Sequence, residues 1–141
     1  MKAITFFLLI ILTTLSGRTE CQETTGDAPA EVYFIRAKSL QGAAIAYRIF
    51  ADDEMICKLN NNRYTVHQLS PDTKTISVQF KGGKIKKKTI RIDVELESEK
   101  TYYFGVCIKN GAFVNRPILC QAEKDEAEDF MKVSKLDDKC F

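Results

Sequence analysis

The side chains with the most chemistry to offer are five cysteines, a single histidine and a run of lysines. No two cysteines have the C-x-x-C separation of a zinc knuckle or a redox motif, and His67 stands alone, so spacing argues against a metal centre. His67 also lacks the company that nucleophilic catalysis needs. There is no Gly-x-Ser-x-Gly elbow and no reactive-cysteine context, and the residue reads as an ordinary surface histidine. Carboxylates adjoin at Asp52-Asp53 and Asp137-Asp138, in turns and tails where solvated charge is the usual state. The expectation is a noncatalytic chain with no metal and no cofactor.

The lysine run extends from Lys81 to Arg91 (KGGKIKKKTIR) and holds Lys81, Lys84, Lys86, Lys87, Lys88 and Arg91, with Gly82-Gly83 at an expected loop tip. Such runs are usually solvated faces, and this one could simply balance the acidic stretch from Asp93 to Glu99 and an acidic C-terminal helix. The sharper reading is an anion-binding hairpin that meets acidic polysaccharide, lipid headgroups or a negatively charged protein. The whole chain sets 21 basic residues against 19 acidic, a formal charge of +2 that argues against a dedicated nucleic-acid binder. Tyr33, Tyr47, Tyr64, Tyr102 and Tyr103 could form a sugar-stacking platform. Core packing is the better reading, since aromatics supply much of a small core and the chain has no Trp.

Lys2 followed by the apolar stretch Ala3 to Leu15 reads as a secretory signal peptide, too short for a membrane span of about 20 residues. Thr19 and Cys21 suit a cut before Gln22, with Thr14 and Ser16 as a second option. Lipidation of Cys21 is the alternative, and the only route to membrane contact. Glu20 disfavours it by standing where a lipoprotein peptidase expects Gly or Ala. Removal of residues 1–21 leaves a nearly neutral chain with Cys57, Cys107, Cys120 and Cys140, an even set that reads as two disulfides in a secreted, periplasmic or cell-envelope protein.

What remains must position these residues. Residues 22–30 (QETTGDAPA) make a flexible linker, and period-two alternation then predicts strands over residues 31–120. Thr89 to Glu97 is the clearest strand, with Ile90, Ile92, Val94 and Leu96 on one face. Thr75 to Lys81 repeats it, with Ile76, Val78 and Phe80 inward and Ser77 and Gln79 outward. Further strands are read at Val32 to Arg36, Ile45 to Ala51, Glu54 to Leu59, Arg63 to Leu69 and Thr101 to Lys109. Asp52-Asp53, Asn60 to Asn62 and Ser70-Pro71-Asp72 mark turns. Asn110-Gly111 signals a two-residue hairpin into Ala112 to Arg116, and Pro117 implies an edge strand or a bulge. Residues 121–141 form one acidic helix and a tail packed on the domain. The predicted fold is mainly β: an antiparallel β-sandwich of seven or eight strands, immunoglobulin- or transthyretin-like, with one C-terminal α-helix.

The runs VYFIRAKSL, IFADDEMICKL, RYTVHQLSPDTKTISVQF and IDVELESEKTYYFGV together resemble the family known as domain of unknown function 2846, over about Glu31 to Asp129. Asp72-Thr73 replaces the glycine of that family's usual Pro-Gly turn, and Glu97 to Lys100 supplies the turn before Tyr102-Tyr103. The resemblance implies an exported bacterial β-sandwich akin to transthyretin-like and PEGA modules. It implies no activity.

A two-residue loop at Asn110-Gly111 would set Cys107 opposite Val114 and put Cys120 near Thr101, roughly 20 Å away, whereas bridged Cα atoms lie within about 7 Å. Cys107 and Cys120 are therefore expected not to be bonded. Cys120 with Cys140 and Cys57 with Cys107 is slightly preferred. Cys57 with Cys120 and Cys107 with Cys140 stays open. The functional expectation is a binding or structural module of the envelope or surface, contacting an envelope or extracellular macromolecule through a sheet edge or the basic hairpin. A carrier of a small ligand or lipid, with a pocket between the sheets, is the alternative.

Overall fold

The computed structural model describes residues 27–40, 42–112, 115–138 and 140. The expected signal peptide, Cys21, most of the linker, and Phe113 and Val114 lie outside the described residues. Strands form where the alternation places them: β1 (Ala30–Arg36), β2 (Tyr47–Ala51), β3 (Glu54–Leu59), β4 (Arg63–Leu69), β5 (Thr73–Gln79), β6 (Arg91–Glu95) and β7 (Thr101–Lys109). They are followed by β8 (Arg116–Gln121), helix α1 (Lys124–Val133) and a two-residue strand β9 (Lys135–Leu136). The turns use residues that tolerate positive φ, with Asp52 at 48°, Asp53 at 66° and Asn62 at 56°. The fold starts one residue before the expected boundary, because Ala30 is fully buried in β1.

Two sheets pack face to face, one in the order β8-β7-β1-β4-β9 and the other β3-β2-β5-β6. This is the expected sandwich with a C-terminal helix, with two departures. The larger sheet is mixed, since β1 pairs in parallel with β7 and β4 in parallel with β9. The short β9 also raises the count to nine strands among the described residues, because the tail returns to the sheet after the helix. Between the sheets, Val32, Phe34 and Phe104 from one side meet Ile49, Leu59, Ile76 and Val78 from the other, all essentially inaccessible to solvent. Burial of this kind stabilises by about 1.5 to 3 kcal/mol per large side chain and is the main force holding the layers together.

Ser77 and Gln79 do not point to solvent as alternation suggested. β5 lies inside its sheet, Ser77 sits opposite the fully buried Phe50, and Gln79 is enclosed by the loop that follows it. Arg36 is buried too, and its guanidinium donates to the carbonyls of Gly42, Ile45 and Leu59 while lying 3.8 Å over the Tyr47 ring. It ties the chain between β1 and β2 to the end of the sandwich.

The β7–β8 hairpin corrects the register expected from Asn110-Gly111. Lys109 faces Arg116, so six residues separate the strands, and the second strand begins where the expected one ended. The reason lies in the core. The two-residue register would pair Val106 with Asn115, whereas the observed one pairs it with Leu119, which is buried. Pro117 then falls on edge strand β8, where its missing N–H costs least.

Candidate functional site

The basic residues sit on the connection between β5 and β6, which is built around one buried side chain. Gln79 Nε2 donates to the carbonyls of Lys81, Gly82 and Lys84 at 2.9 to 3.1 Å, and its Oε1 accepts from Lys86 N and Thr89 Oγ1. Carbonyls that no strand serves are thereby satisfied, which fixes the loop's shape. Gly82 makes the fold-back feasible. Its φ is +103°, and a Cβ there would stand 3.3 Å from the Gln79 amide nitrogen.

On this frame Lys81, Lys84, Lys86, Lys87 and Lys88 all project into solvent. None of the five makes an ion pair among the described residues. Exposure without ion pairs is compatible with both readings of this run, a solvated face and an anion-binding hairpin. Arg91 leaves the group, because it starts β6 and its Nε lies 3.4 Å from Asp53 Oδ1. In its place the β7–β8 hairpin contributes Lys109 and Arg116. They flank Lys88 around an open depression of about 420 Å³, and Arg116 donates to the Lys88 carbonyl. Sequence reasoning missed these two, which lie beyond β6, at the end of β7 and the start of β8, and are gathered only by the way the hairpin packs.

A second cavity lies beside the basic loop. A mouth of about 390 Å³ opens there, with Ile45, Tyr47, Phe80 and Ile108 as apolar walls and Lys81 and Lys86 at its rim. An apolar slot with cations at its entrance suits an amphiphile with an anionic head.

The cysteines do not pair as expected in either arrangement considered. Cys57 is bonded to Cys140, with Cα atoms 5.1 Å apart, and Cys107 and Cys120 are free thiols. The tail after β9 crosses the open edge of the sandwich to β3, where Cys140 O accepts from Lys58 N. That puts Cys140 next to Cys57 and far along the chain from the positions that spacing suggested. With the observed hairpin register, Gly105 faces Cys120 and Cys107 faces Ile118, so the free pair are diagonal neighbours. They are not bonded to each other, as expected, but this register does not hold them apart as a two-residue loop would have. Burial, and then a hydrogen bond with Cys120, push the Cys107 thiol up to about 12.

His67 is half-buried, not the freely exposed histidine expected. It stands opposite Val32 on the inner side of β4, with its ring 5.9 Å from that of Phe34 and its Nε2 3.8 Å from Cys140 Sγ, and burial lowers its pKa. The tyrosines divide. Tyr47 is buried in the core and Tyr102 packs against it, but Tyr33 and Tyr103 stack at 5.1 Å on the opposite face of the larger sheet. Asp52 is held by ordinary turn contacts, accepting from Thr75 N and pairing with Lys74. Asp137 accepts weakly from Asn60 Nδ2.

No curated protein matches the chain. A family model described as "Protein of unknown function (DUF2846)" matches residues 27–116, which takes in β1 to β7, the basic loop and the start of β8. The chain therefore belongs to the DUF2846 family, proteins of unknown function.

Proposed function

We propose that the chain is a noncatalytic module, exported to the cell envelope or the cell surface, that docks an anionic macromolecule against the basic end of its sandwich. The observation that carries this reading is the loop on Gln79, which displays five unpaired lysines with Lys109 and Arg116 beside them. A cluster of one sign, held on a fixed backbone, keeps its field directed outward instead of spending it on internal pairs. Export rests on the signal-like N-terminus and on a disulfide that fits an oxidising compartment. The apolar mouth beside the loop favours a second reading, a small amphiphile taken head-out with Lys81 and Lys86 at its anionic group.

Binding to an acidic polysaccharide, measured at low and at 0.5 M salt, tests the first reading. Affinity should fall steeply with salt, and Lys86→Ser/Lys87→Ser/Lys88→Ser should weaken it about tenfold, at roughly 0.5 kcal/mol per exposed charge. No binding at low salt, or an unchanged affinity in the triple variant, would rule the reading out.

A further inference from the structure

Three elements that are distant in sequence bring two sulfurs and an imidazole to one point inside the sandwich. Cys57 comes from β3, opposite Ile49 on the inner face. His67 comes from β4 in the other sheet, and Cys140 from the tail that closes the edge between them. Their ligand atoms all lie within 4.8 Å of one another. Thr65 Oγ1 completes the group, 3.5 Å from Cys140 Sγ and 3.4 Å from His67 Nε2. A tetrahedral cation with sulfur at about 2.3 Å and nitrogen at about 2.0 to 2.1 Å sets its sulfur and nitrogen ligands about 3.6 Å apart. Cys140 Sγ and His67 Nε2 stand at 3.8 Å.

We propose that Cys57, Cys140 and His67, once the disulfide is reduced, form a binding site for a thiolate-seeking divalent cation of the Zn²⁺ class, so that disulfide and metal are alternative states of one site. The sulfur bond is not the tail's only tie to the sandwich. Cys140 O accepts from Lys58 N, Asp137 N donates to Tyr64 O, and Lys135 N donates to Asn62 O. These bonds favour Cys140 staying beside Cys57 once the sulfurs part, as the proposal requires.

The chemistry balances with a low-molecular-weight thiol as reductant. Two such thiols give up two electrons and two protons to the disulfide, become a disulfide themselves, and leave two cysteine thiols. The cation then displaces one proton from each thiol, and the two thiolates match its charge, so no net charge is left buried. Imidazole and thiolate donors select this class of ion over Mg²⁺ or Ca²⁺, which take oxygen ligands. Thr65 or a water supplies the fourth position.

The test uses the full chain with Cys21, Cys107 and Cys120 replaced by Ser, so that no other thiol can bind. Reduced with a phosphine and titrated anaerobically with Co²⁺, it should take up one equivalent, with thiolate-to-cobalt charge-transfer absorption that Zn²⁺ abolishes. The oxidised protein should show none. His67→Ala should weaken binding at least tenfold and alter the visible spectrum. Absence of charge-transfer absorption in the reduced protein, or an unchanged affinity and spectrum in His67→Ala, would overturn the proposal. Should reduction unfold the chain, Zn²⁺ is expected to restore its circular dichroism, and failure to do so would equally overturn it.

Discussion

At the scale of single residues, Gln79 and Cys107 make the sharpest claims. Replacing Gln79 with Ala strips partners from three carbonyls and two donors within a partly buried loop. The expected cost is about 2 to 3 kcal/mol, read as a lowered denaturation midpoint, with trypsin now cutting after the loop lysines. Lys86→Ala should leave the midpoint nearly unchanged, because its side chain is exposed. With its thiol pushed up by burial, Cys107 carries far less thiolate at pH 8 than an ordinary cysteine. Alkylation of Cys107, followed by mass spectrometry of its peptide, should therefore be very slow at pH 8 and speed up about tenfold per pH unit above that. A rate at pH 8 like that of a free thiol would show that the site is open.

At the scale of elements, the β2–β3 turn links local conformation to pH. Asp52 takes a positive φ and accepts from Thr75 N, and this bond, followed by Lys74, holds its carboxyl below the ordinary 3.8. A carboxyl lowered on folding contributes stability that is fully present above its unfolded value and lost as pH falls through the folded one. The melting temperature of the protein should therefore drop on acidification below pH 4. Asp52→Asn, which cannot titrate, should show a smaller drop over the same window. Equal drops would mean that the turn carries none of the acid sensitivity.

For the whole molecule, the Cys57–Cys140 bridge is the strongest constraint on the open edge of the sandwich. It joins residues 83 apart in sequence, a loop whose closure is worth roughly 4 to 5 kcal/mol on the chain-entropy account. Nonreducing peptide mapping should give one linked fragment that joins Cys57 to Cys140, with Cys107 and Cys120 recovered as thiols. Cys57→Ala/Cys140→Ala should lower unfolding stability by about that amount in denaturant titration. A linked fragment containing Cys120 and Cys140 would instead restore the pairing that spacing favoured.

The amino-acid sequence alone determined most strands and the helix, because alternation and turn chemistry act over a few residues. Arg63 to Leu69 and Thr101 to Lys109 coincide with β4 and β7, and Asp52-Asp53 with the turn between β2 and β3. It also located the basic run, since a cluster of lysines is contiguous in the chain. Only the tertiary structure decided what depended on contacts between distant segments. Asn110-Gly111 is a strong local signal, yet pairing Val106 with Leu119 in the core outweighed it and moved the hairpin register by four residues. That shift made Cys107 and Cys120 neighbours and brought Lys109 and Arg116 to the basic loop. The meeting of Cys57, His67 and Cys140 required two sheets and a returning tail to be in place together, and no spacing along the chain encodes it.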